Sequence, residues 1–181
     1  DKTINIHDLL IGDKNAIMVA ARILGYGKDY KFEYEGEEQE VDLSQLNPIP
    51  IDFKKLQKGV NEFSFKLPYS KRTITFKLLN GHDERKINAE VKAKQKISKV
   101  TSSELTTRFK HMIKSIDGNS EISVINNFVD NEFLSRDSLA FRQYLTEITP
   151  DIDMSTDVID KTGKEIEVTI PVTVRFFWPT T

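Results

Sequence analysis

The stretch Glu62–Leu79, "EFSFKLPYSKRTITFKLL", sets the fold class. Phe63, Phe65 and Leu67 alternate with polar residues, and Ile74, Phe76 and Leu78 repeat the pattern after "PYSKR". Period-two alternation on both sides of a Pro- and Ser-containing loop predicts a β-hairpin with one buried face. Upstream, Pro48 and Pro50 in "NPIPIDFKKL" (47–56) exclude a helix and mark a connector.

Two further hairpins lie outward from this one. In "DYKFEYEGEEQEVDLSQL" (29–46), Tyr30, Phe32 and Tyr34 share a face before Gly36, and Val41 and Leu43 share another after it. In "DVIDKTGKEIEVTIPVTVRFFW" (157–178), Thr162-Gly163 forms a tip. Ile166, Val168, Ile170, Val172 and Val174 then alternate, which predicts a long second strand with an edge or bulge at Pro171. "EEQEVDLS" and "GKEIEVTIP" echo each other without forming a repeat.

Helical spacing fills the remainder. "IGDKNAIMVAARILGYG" (11–27) reads as a helix capped by Asp13, with Ile17, Ala20, Ala21 and Leu24 inward and Gly25 and Gly27 as the stop. These glycines follow the helix, whereas a phosphate loop needs them ahead of one. The Lys-rich stretch 80–100 has a thin apolar stripe at Ile87 and Val91, continued by Lys94 with Ile97 or Ser98. It reads as a solvated face, or as a surface for an acidic partner or nucleic acid, though few aromatics lie here for base stacking. "SSELTTRFKHMIKSIDGN" (102–119) fits helix and strand equally, with a turn at Asp117-Gly118. In 120–154, Ile122, Ile125, Phe128 and Val129 make one stripe. A second helix after a tight corner has Ser135 as cap, Leu139, Tyr144 and Leu145 inward, and Pro150 as its end. The fold class is therefore α+β: several hairpins forming a mainly antiparallel sheet, two to four helices, and small β-ribbon extensions. One domain over residues 1–181 is expected, embellished by hairpins near 30–46 and 155–174.

Composition narrows the chemistry. The 181 residues carry 26 basic and 28 acidic side chains, a net charge of -2, which argues against a dominant nucleic-acid field. With no cysteine, disulfides, Cys-ligated zinc and thiol catalysis are excluded. No apolar run reaches the roughly 18 residues of a membrane span, and "DKTINIHDLL" has no apolar h-region. His7, His82 and His111 are isolated, and His111 reads as a core-edge or surface residue. The acidic run 35–40 reads as a solvated turn. "DIDMSTD" (151–157) lacks the central glycine and closing glutamate of a calcium loop, so its aspartates read as caps and turn formers. No hydrolase, metalloprotease, P-loop or dinucleotide motif is present. No catalytic residue, cofactor or metal is expected. Arg136-Asp137 reads as an ion pair within an interface, or as a helix cap.

Several strings together resemble a known family: "IGDKNAIMVAARILGYG", "KRTITFKLLNGHDE", "FVDNEFLSRDSLAFRQYLTEITPDIDM" and "EIEVTIPVTVRFFWP". They resemble the baseplate hub subunit and hub-assembly proteins of T4-like contractile-tailed phages, over Leu10 to Pro179. The segment "RDSLAFRQYLTEITPDIDM" and the "FFWP" end are the most specific parts. Similar proteins carry a CxxCG pair near the first and last hairpins. This chain has no cysteine there, so a zinc ribbon is not carried over. The resemblance implies a non-enzymatic protein of the virion tail baseplate, present in host cytoplasm during assembly. Its partners would be other baseplate or tail-hub proteins in a hetero-oligomer, without nucleic acid or membrane. A tail-assembly chaperone for the tape-measure protein is the alternative, and a cellular enzyme a third. Phe176, Phe177 and Trp178, with Arg136 and Asp137, are the candidate partner-binding residues. The aromatics would act either as an anchor in a partner's pocket or as a plug for the chain's own core.

Overall fold

In the computed structural model, the residues described are 5–97 and 103–178. Ser98, Lys99 and Pro179–Thr181 lie outside them. Their architecture is α+β, with six α-helices and three small antiparallel sheets. The chain divides into two compact units. Unit 1 holds the residues up to Ile11 and Pro50–Thr149; unit 2 holds Gly12–Ile49 and Pro150 onward. Each has its own hydrophobic core.

Unit 1 is built on the 62–79 hairpin. Strands β3 (Phe63–Lys66) and β4 (Thr73–Phe76) pair antiparallel, with Phe65 opposite Ile74 and Phe63 opposite Phe76. The 102–119 stretch resolves as both predicted patterns in succession. It forms helix α3 (Ser103–Met112), then strand β5 (Ile113–Ile116), which pairs with β4 to complete a three-stranded sheet. Asp117 closes the following turn at φ 50°, and its carboxylate accepts the Thr73 amide at 2.7 Å and Arg72 Nε at 2.9 Å. Short helix α4 (Ile122–Asn127), a π-helical turn (Phe128–Glu132) and helix α5 (Ser135–Ile148) make the expected corner. Their inward faces differ from expectation at single positions. Ile122 and Leu139 point to solvent, while Phe141 and Ile148 are fully buried. Leu134, not Ser135, occupies the cap position. Aromatic edges close the core: Phe76 meets Phe141 at 4.8 Å and Phe65 stacks on Tyr144 at 4.7 Å.

Helix α2 (Gly81–Ile97) carries the lysine-rich sequence. Asn80 Oδ1 accepts the amides of His82 and Asp83, which satisfies the first turn. Asp83 and Glu84 sit at its positive end and Lys94 and Lys96 at its negative end. Ile87 and Val91 bury against Leu79, with Ile11 and Met112 beside them, as the thin stripe predicts. His111 Nε2 lies 2.9 Å from Glu90 at the edge of this helix pair.

Unit 2 joins helix α1 (Ile11–Tyr26) to two hairpins. Strands β1 (Asp29–Tyr34) and β2 (Glu37–Asp42) turn through Glu35 and Gly36. Strands β6 (Ser155–Ile159) and β7 (Glu165–Thr169) turn around Asp160, whose carboxylate accepts the amides of Thr162 and Lys164. Two expectations fail here. The buried face of α1 is Gly12, Val19 and Arg22, and Asp13 lies inside the first turn, not before it. Ile17 and Leu24 are 47% and 88% exposed. The last strand also stops at Thr169. Proline at 171 removes a ladder donor, and Val174–Phe177 winds into one helical turn, α6.

Candidate interaction surface

The aromatic end belongs to unit 2, and the α6 turn separates the fates of its three rings. Residues 174–178 span one turn, closed by the Trp178 amide donating to the Val174 carbonyl at 3.0 Å. A turn places successive side chains about 100° apart, so three consecutive aromatics cannot share a face. Phe176 points inward and is fully buried, edge-on to Tyr30 at 4.9 Å and to Phe177 at 5.1 Å. The Tyr30 hydroxyl donates to the Pro171 carbonyl at 2.9 Å, tying β1 to the segment ahead of the turn. Phe177 is half-buried against the same core. Trp178 is 67% exposed and Val174, one turn before it, 74% exposed. Phe176 thus plugs the core of unit 2, and Trp178 is presented outward.

Arg136 and Asp137 belong to unit 1 and do not pair with each other. Arg136 lies over the Tyr69 ring at 5.6 Å. Asp137 is fully buried and accepts the backbone amides of Tyr69 at 2.8 Å and Ser70 at 2.9 Å. It therefore fixes the "PYSKR" loop between β3 and β4. Burial pushes its carboxyl up, but hydrogen bonding from Ser70 and from the Tyr69 and Ser70 amides outweighs this and leaves it below the usual carboxylate range. The Ser70 hydroxyl lies close without a well-aligned hydrogen bond, and the two amides are the bonds the geometry places on the carboxylate.

Other titratable groups are engaged locally. Asp83 is buried and holds Lys77 Nζ with both oxygens at 2.7 Å. Asp153 accepts the Ser155 amide at 3.0 Å, and Asp151 accepts the Ile152 amide and the Asn15 side chain. The acidic run is a solvated hairpin end in which Lys31 reaches Glu38 at 2.8 Å and Glu40 at 3.9 Å. Among the described residues no three His, Cys, Asp or Glu side chains form a metal-holding group, and no helix is long and apolar enough to cross a membrane.

Arg22 was not legible as a site residue. Its side chain sits on the buried face of α1, 4% exposed. Nη1 donates to the Gly27 carbonyl at 2.8 Å and Nη2 to the Asp29 carbonyl at 3.2 Å, while the Tyr26 and Tyr30 rings lie 5.4 and 5.8 Å away. The guanidinium thereby caps the end of α1 and orients the start of β1. The one trace in sequence is the aromatic pair four and eight residues after it, at Tyr26 and Tyr30.

No protein-family profile, no curated protein and no solved structure matches the chain.

Proposed function

We propose that this is a non-enzymatic protein of a contractile phage tail, acting through protein–protein contacts as a structural or assembly component of the baseplate hub. The reading rests on the resemblance of four separated segments to that family. The structural observation that favours a contact role is the presentation of Trp178 at 67% exposure, on a turn held down by a fully buried Phe176. An exposed tryptophan on a fixed base loses little conformational entropy on docking, and tryptophan is enriched among residues that dominate interface energy. Its partners are other baseplate or tail-hub proteins, met in the host cytoplasm and retained in the virion tail.

Quantitative mass spectrometry of mature particles and tail-assembly intermediates tests this in the phage whose genome encodes the chain. A fixed small stoichiometry in both supports a hub subunit. Presence in intermediates alone supports the second reading, an assembly chaperone holding the tape-measure protein, for which the lysine-rich face of α2 and the acidic first hairpin offer charge of both signs. Absence from both overturns the tail assignment.

A further inference from the structure

Among the described residues β1 has one sheet neighbour, β2, and no strand lies beside its outer edge. The turn fixes which backbone groups point outward. Glu35 and Gly36 both have positive φ, 50° and 84°, the geometry of a two-residue hairpin turn. Tyr34 and Glu37 are then a hydrogen-bonded pair, and alternation along the ladder turns the amides and carbonyls of Tyr30 and Phe32 toward β2. Those of Asp29, Lys31 and Glu33 face away. The Leu43 amide bonding the Lys28 carbonyl at 2.9 Å fixes the same phase, and the Asp29 carbonyl meets Arg22 on the outer side. No backbone group among the described residues takes up the outward amides of Lys31 and Glu33.

This edge is not flat against solvent. A groove of about 880 Å³ is lined by residues 29–33 of β1 and by Pro171 and the Thr173–Arg175 stretch. Two arginines line it without a carboxylate partner among the described residues. Arg22 is buried and donates only to carbonyls, with Nε unpaired, and Arg175 makes no ion pair among the described residues. A buried guanidinium with no counter-charge is costly, and an incoming carboxylate relieves that cost. The outward-facing side chains of β1 carry the other sign. Among the described residues Asp29 and Glu33 make no ion pair, and Lys31 is already held by Glu38.

We infer that the free edge of β1 is a strand-addition site for an extended segment of a partner protein. That segment carries a carboxylate on the face toward Arg22 and Arg175, and basic side chains on the opposite face across from Asp29 and Glu33. Backbone pairing to Lys31 and Glu33 gives affinity, and the alternating charges set register and direction. The inference rests on unit 2 alone and does not depend on the phage-tail reading.

The purified full chain is used to select from a displayed library of random extended octapeptides, and the enriched peptides are synthesised. Enriched sequences are expected to place an acidic and a basic residue at odd separations, hence on opposite faces. On binding, the Lys31 and Glu33 amides should become protected from hydrogen exchange. Lys31→Pro removes an outward donor and no β1–β2 bond, so it should weaken binding about tenfold. Arg175→Gln should weaken the acidic peptide about tenfold and leave its amide analogue unchanged. Should the proline variant fail to fold, a peptide N-methylated at its pairing positions, tested on the unaltered chain, should show the same tenfold loss. Three results overturn the inference: no enrichment, unchanged exchange at Lys31 and Glu33, or equal binding by the proline variant or the N-methylated peptide. The mass spectrometry of particles can fail while this succeeds, and the reverse, so the two proposals are separately testable.

Discussion

Phe176 and Trp178 stand two positions apart and should answer mutation in opposite ways. Phe176 fills the centre of unit 2 against Tyr30, so Phe176→Ala should cost about 3–5 kcal/mol in urea unfolding of that unit. Trp178→Ala removes a side chain that is mostly in water, and should change stability by no more than about 0.5 kcal/mol. If Trp178 docks on a partner as proposed, it should instead lower affinity for that partner by about 2 kcal/mol or more, read by titration calorimetry. Equal losses of stability in the two variants would make the whole end a plug and leave no anchor. Asp137 gives a third case. Asp137→Ala removes the acceptor of two part-buried amides, of Tyr69 and Ser70, at about 1–3 kcal/mol, and should raise loop exchange rates before it affects α5. Asp137→Asn keeps an acceptor oxygen and should recover part of that loss.

The helix α1 shows how far periodicity carries at the scale of an element. Its existence and its stop at Gly25 to Gly27 follow from spacing and glycine chemistry. Its facing does not. A hydrophobicity count favours Ile17, Ala20, Ala21 and Leu24, because the true inner face includes Arg22. That arginine becomes a core residue only when two carbonyls and two aromatic rings receive it, and those groups come from the turn and strand beyond the helix. The 102–119 stretch failed to resolve for a different reason: both patterns are real, in succession, and no residue type marks the junction at Met112. The three hairpins were legible because alternation and turn chemistry agree within each of them. Of the two proposed contact sites, Trp178 was a candidate in the sequence and the β1 edge was not, since a free edge depends on which strands fail to arrive. A close approach that only structure reveals is Gly12. A Cβ there would stand 1.7 Å from the Pro150 carbonyl oxygen, so Gly12→Ala must displace backbone. It should lower the urea midpoint of unit 2 through a stability loss typical of overpacking, about 1–3 kcal/mol.

Acid sensitivity belongs to the whole molecule. Asp42 is lowered to about 2 by the Lys28 ammonium at 2.6 Å and by hydrogen bonds from Ser44. Hydrogen bonds likewise hold Asp117, Asp137, Asp153 and Asp160 below the usual range, so both units contain such groups. A carboxyl depressed in the folded state adds stability that is complete above the unfolded value of about 3.9, and loses it as pH falls through the folded value. Urea midpoints should therefore hold from pH 7 to about 5 and decline from about 4 toward 2. Asp42→Asn should make the decline shallower for unit 2. A midpoint that is level down to pH 3 would contradict these assignments.

The interleaving of the two units also orders events during synthesis. Every described element of unit 1 has emerged from the ribosome once Thr149 is out, whereas unit 2 lacks β6, β7 and Phe176 until the final segment follows. At a few to twenty residues per second, the β1–β2 hairpin waits for seconds with Tyr30 and Phe32 uncovered. A nascent chain stalled just after Thr149 should thus hold a protease-resistant unit 1 beside a cleavable 12–49 segment, which makes that segment the part of the chain most dependent on chaperone cover.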